Sequence, residues 1–125
     1  MFIISEDLTI HLTRGDAAAF DVGAIWNGEE YTFQPGDVIR FKVYGKKNTT
    51  DVVLIKDIEV EEETSSVRIR LDREETKIGD YINKPTDYWY EVELNPEGYA
   101  ETIIGYDENG AKILKLYPEG GDMNG

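Results

Sequence analysis

The feature that most narrows the fold of this chain is a period-two alternation of apolar and polar residues, interrupted at short intervals by turn-forming pairs. Leu8, Ile10 and Leu12 fall on one face of an extended segment, with Thr9, His11 and Thr13 on the other. Ile39, Phe41 and Val43 alternate with Arg40, Lys42 and Tyr44. Val67, Ile69 and Leu71 alternate with Arg68 and Arg70, and Tyr88, Tyr90, Val92 and Leu94 with Trp89, Glu91 and Glu93. Further strands are expected from Ala19 to Trp26, Glu30 to Phe33, Val52 to Val60, Tyr99 to Tyr106 and Ala111 to Tyr117. Neighbouring side chains of a strand point to opposite faces, so each pattern buries one face and wets the other. No stretch carries a 3.6-residue period long enough for a substantial helix. The expected fold is all-β, an antiparallel β-sandwich of Ig-like or jelly-roll-like kind with about eight to nine strands.

The turns have their own chemistry. Asn27-Gly28 supplies two positive-φ residues for a type I′ hairpin, and Gln34-Pro35-Gly36-Asp37 places Pro and Gly where a type II turn needs them. Gly45-Lys46-Lys47-Asn48 breaks the next strand, and Asn95-Pro96-Glu97-Gly98 fits a type I turn. Asp107-Glu108-Asn109-Gly110 is expected to close a final hairpin between Tyr99–Tyr106 and Ala111–Tyr117. Only the segment from Asp72 to Asp87 lacks alternation. Its start, Asp72-Arg73-Glu74-Glu75-Thr76, suits one helical turn with Asp72 as N-cap. A connection this long in a compact domain is more often functional or interfacial than accidental. The expected organisation is one domain over residues 1–118 and a flexible tail over 119–125.

Composition bounds the chemistry. The chain has 125 residues, 40% of them hydrophobic, which is enough for a core and excludes wholesale disorder. It carries 26 Asp+Glu against 13 Lys+Arg, a formal net charge of -13, and acidic residues lead in both halves. The clustered Lys/Arg that duplex phosphates require are missing, so no nucleic-acid partner is expected. Without cysteine there is no disulfide, thiolate metal site or cysteine nucleophile. The run Phe2-Ile3-Ile4 is far too short for a signal-peptide core or a membrane span, so a cytoplasmic chain is expected, one that leaves the cell only within an assembly.

Candidate sites are few. The lone histidine, His11, sits on the polar side of a strand, and Ser5, Ser65 and Ser66 stand in no G-x-S-x-G context, so it reads as an exposed strand residue. Asp57, Glu59, Glu61, Glu62 and Glu63 are the densest acidic run, with alternation that reads as a solvated face rather than a catalytic pair. Asp107-x-Asn109-Gly110 matches the opening of a calcium loop but lacks the later bidentate Glu. Arg14-Gly15-Asp16 spells an adhesion tripeptide where the chain must turn, and the turn explains it. No metal, cofactor or catalytic residue is expected. Interaction candidates are Trp89, in the cluster Tyr88-Trp89-Tyr90, then Tyr81 and Ile82 in the long connection, and the Arg40/Lys42 face within a local excess of positive charge that includes Lys46, Lys47 and Lys56. An outward Trp89 either anchors an interface, or stacks on a sugar ring, or is half-covered by the 72–87 connection.

Two stretches carry a resemblance. The first runs from Leu8 through Arg14-Gly15-Asp16 and Phe20-Asp21-Val22 to Tyr31-Thr32-Phe33-Gln34-Pro35-Gly36-Asp37-Val38-Ile39-Arg40-Phe41. It resembles the opening of small β-sandwich proteins of tail and baseplate regions in phages and prophages of Gram-positive bacteria, including the N-terminal domain of baseplate upper proteins of the BppU type. The second joins Asp72–Gly79, Tyr88–Pro96, Thr102–Asp107 and Leu116–Gly120, and is similar to the second half of short prophage proteins. The resemblance implies a sandwich fold and a non-enzymatic structural role, with no catalytic residues. Receptor-binding and stem regions like those of baseplate upper proteins do not follow here, so such a subunit is expected to self-associate as a dimer or trimer, or to dock on other tail or baseplate proteins. It would be cytoplasmic during assembly and virion-bound afterwards. The alternative is a carbohydrate-binding module in which Trp89 and nearby Tyr residues hold surface glycans.

Overall fold

In the computed structural model the described residues are 1–26, 28–95, 97–98, 101–105 and 110–119. They form an all-β structure with no helix among them. The strands are β1 (Phe2–Ile4), β2 (Ile10–Thr13), β3 (Ala18–Val22), β4 (Ile25–Trp26), β5 (Glu29–Glu30), β6 (Val38–Tyr44), β7 (Val52–Glu59), β8 (Val67–Leu71), β9 (Thr86–Leu94), β10 (Glu101–Ile104) and β11 (Lys112–Tyr117). A seven-stranded sheet runs in the order β1-β2-β11-β9-β6-β7, with β10 also on β9. β3 and β8 make a separate antiparallel pair, and β4 and β5 a short hairpin.

Alternation decides which face is buried. Ile10, Leu12, Ile39, Phe41, Val43, Tyr90, Val92, Leu94, Leu114 and Leu116 all turn to the inner face of the large sheet. The β3–β8 pair lies over that face and contributes Phe20, Val22, Val67, Ile69 and Leu71. Phe20 is the pivot, its ring 5.5 Å from Phe41 and 5.7 Å from Phe2 between centroids. Burying each of these large side chains contributes about 1.5–3 kcal/mol, which is what holds the two layers together.

Several expectations change in the structure. The sheet is mixed, because β2 and β11 pair in parallel, Leu114 opposite Ile10 and Leu116 opposite Leu12. Almost the whole chain separates these two strands, so no hairpin dictates their direction. Phe2–Ile4 is a strand, paired with β2, where the sequence offered only a short apolar run. The strand expected from Ala19 to Trp26 breaks at Gly23-Ala24 into β3 and β4, which join different partners. Of Glu30 to Phe33, only Glu30 is strand, as the end of β5, and Phe33 makes a single bridge to Thr64. The expected last hairpin does not form along the described residues: β10 and β11 both lie along one edge of β9, β10 at residues 92–94 and β11 at residues 86–90. Asn27, Pro96, the Asp107–Asn109 run and residues 120–125 fall outside the described residues.

The Gln34–Asp37 turn forms as expected, with Asp37 N–H donating to Gln34 O at 3.0 Å and Gly36 at φ 95°. Asp72 caps its turn in both directions: Glu75 N–H donates to Asp72 Oδ1 at 2.8 Å, and Asp72 N–H to Glu75 Oε1 at 2.9 Å. The connection over residues 72–85 is a strap along the core. Ile78 and Thr76 are buried, Ile82 packs on the core, and the Thr76 hydroxyl accepts from Gly15 N–H and donates to Arg73 O.

Candidate functional site

The outer face of the large sheet carries three of the five candidate residues. β9 runs through its centre, and Trp89 lies between two cross-strand neighbours, Tyr44 on β6 and Ile113 on β11. Trp89 is half-buried. Arg40 and Lys42 share this face, opposite Glu93 and Glu91 respectively. Strand register alone brings these groups together, since opposite residues of paired strands share a face.

The basic groups here are not free. Arg40 grips Asp57 with two hydrogen bonds of 2.8 and 3.0 Å and reaches Glu97 at 3.1 Å. This fork holds the Asp57 carboxyl below its ordinary range and raises the guanidinium. Lys42 Nζ sits 3.2 Å from Glu93 Oε1, and Lys56 bonds Glu75 at 2.9 Å. Tyr44 donates to Glu91; burial, then this carboxylate, pushes the phenol well above its ordinary value. Arg40, Lys42 and Lys56 are thus each paired with a carboxylate. These partly buried pairs set a pattern of alternating charge around Trp89.

Tyr81 and Ile82 lie elsewhere. Both belong to the strap on the core side, where Gly79 abuts the hydroxyl of the inward-facing Tyr88. Tyr81 is 65% exposed, while Ile82 packs on the core. The strap thus closes over the Tyr88 side of β9, and Trp89 points to the opposite face.

Arg14-Gly15-Asp16 is built into the fold. Arg14 donates to Ile78 O, Gly79 O and Glu119 Oε1, the last at 2.8 Å, and Arg73 donates to Gly15 O. With its side chain only 13% exposed, Arg14 fastens the strap rather than offering itself to a receptor. Glu119 is held in the same clamp.

The sequence missed one polar chain. His11 Nδ1 lies 3.0 Å from the Tyr117 hydroxyl and its Nε2 lies 3.4 Å from Ser5 Oγ. Tyr117 reaches His11 through the parallel β2–β11 register, which no local pattern announces. The order Ser–His–Tyr resembles a nucleophile, base and orienting group, but Ser5 Oγ lies closer to Asp7 Oδ1, at 2.8 Å, than to the imidazole. Asp7, held by the Thr9 backbone N–H and then by Ser5, stays ionised with its pKa lowered to about 2. These residues lock the β1–β2 turn.

Open grooves mark the surface of the described residues. One of about 230 Å³ lies between Gly23–Ile25 and Glu101–Ile104, floored by Tyr31 and Leu94. Another of about 360 Å³ runs along Glu59, Glu61, Glu62 and Glu63. Among the described residues, no three His, Asp or Glu side chains are placed to hold a metal ion, and no helix is long and apolar enough to cross a membrane. No family model matches the chain, and no curated protein matches it.

Proposed function

We propose that this chain is a non-enzymatic assembly module, a β-sandwich of Ig-like or jelly-roll-like kind that works by joining copies of itself or docking on other proteins. The observation that carries this is the large sheet itself. Among the described residues, one face is covered by β3–β8, no strand layer lies over the other, which carries half-buried Trp89 beside paired charges, and the sheet order ends in β1 and β7. A sheet with open edges is a template for adding strands from another chain. The resemblance to upper baseplate domains points the same way and makes a tail or baseplate the proposed setting.

Light scattering on a size-exclusion column, at several concentrations, tests this reading. A stable dimer or trimer supports it; a monomer at every concentration removes self-association. Glycan adhesion through Trp89 is the competing outcome. It would appear as a soluble glycan that perturbs tryptophan fluorescence, an effect lost in Trp89→Ala while Trp26 is retained.

A further inference from the structure

Of the large apolar residues exposed among the described ones, half lie in the first eight positions: Met1 at 44%, Ile3 at 55%, Ile4 at 38% and Leu8 at 37%. All four lie in edge strand β1, at the residue just before it or in the turn that follows it. Ile3 pairs with His11 and shares the outer face, whereas Phe2 and Ile4 stand opposite Leu12 and Ile10 and share the inner one. β1 contains no charge and no proline, and its three-residue length is the one feature that limits strand addition there. The other open edge differs. β7 carries Lys56, Asp57 and Glu59, charged side chains of the kind that blunt a sheet edge.

We infer that β1 is the edge at which two copies of this chain join, antiparallel, across a two-fold axis at Ile3. This rests on the self-association half of the assembly reading and names its surface. In that register Ile3 stands opposite Ile3 on the outer face and Phe2 opposite Ile4 on the inner face, extending the core that Phe2 already makes with Phe20. Met1 stands opposite Ser5 at the end of the seam, so this register covers Ile3 and Ile4 and flanks Met1. Charge selects the same edge. Each copy carries a formal charge of -13, so two copies repel, and β1 is where they meet without adding a charged side chain to the seam.

The test uses the full chain. Sedimentation velocity and light scattering across a wide concentration range should show a dimer that salt strengthens, since screening weakens the repulsion between two acidic copies. Ile3→Lys should weaken association about tenfold or more, as charges on edge strands do, and Ile55→Lys on β7 should leave it unchanged. Both positions are exposed, and circular dichroism checks that each variant folds. Ile3→Cys supplies the only thiol in the chain and should give a disulfide-linked dimer in air, because residues directly opposite in antiparallel strands have Cβ atoms about 4.5–5.5 Å apart. A dimer or trimer that persists in Ile3→Lys, with no cross-link in Ile3→Cys, overturns β1 as the seam and leaves the assembly reading standing. A wild-type chain that is monomeric throughout, with no cross-link, overturns the seam and the self-association half of that reading together.

Discussion

Burial by itself would raise the Asp37 carboxyl, yet Gln34 N–H, Asn95 Nδ2 and the Tyr31 hydroxyl all donate to it and bring it below its ordinary value of 3.8. A carboxylate depressed in the folded state stabilises above its unfolded value, and that stabilisation is lost as pH falls through the folded one. Asp21 beside Arg68 and Asp57 beside Arg40 are shifted the same way, so all three act in one window. Stability to urea is expected to be flat above about pH 5 and to fall below about pH 4. Asp37→Asn should lower stability at neutral pH by about 1–2 kcal/mol and make the acid limb shallower. An acid limb as steep as wild type would deny Asp37 this role. At Leu8 the backbone conformation favours glycine, and the side chain is more than one-third exposed. Leu8→Gly is expected to raise the stability of the monomer by about 1 kcal/mol, read as a higher melting temperature.

Among the elements, the strap over residues 72–85 shows how a segment without strand or helix is held. Its capped turn is local, and the pattern Asp72-x-x-Glu75 made it legible in the sequence. Its docking is not local. Arg14 reaches it from a loop more than sixty positions earlier, and Thr76 meets Gly15 N–H inside the core. Arg14→Ala is expected to leave the sheet intact while hydrogen exchange over residues 77–85 speeds by about tenfold or more, as local opening costs less. Unchanged exchange there would mean that Ile78 and Ile82 alone hold the strap. Gly79 has a second constraint: at φ 65°, an added Cβ would lie 2.5 Å from the Tyr88 hydroxyl.

At the scale of the whole molecule, the charge of -13 opposes compaction. The midpoint of urea unfolding is therefore expected to rise as sodium chloride is added up to about 0.3 M, where the Debye length falls below about 8 Å. No change would mean that the ion pairs lost to screening offset the relief of repulsion. The all-β class, the inward set Ile39, Phe41, Val43, Tyr90, Val92 and Leu94, and the Gln34–Asp37 turn were all determined by the sequence alone, because period-two burial and turn geometry act between near neighbours. The same alternation placed Arg40, Lys42 and Trp89 on outward positions. Only the tertiary structure decided that β2 lies parallel to β11, that β10 and β11 share one edge of β9, and that Ser5, His11 and Tyr117 meet. It also decided that Tyr81 and Ile82 part from Trp89, and that β1 and β7 become the open edges. Pairing between distant strands follows from how whole faces pack and which edges remain, and residue spacing along the chain carries no record of that choice.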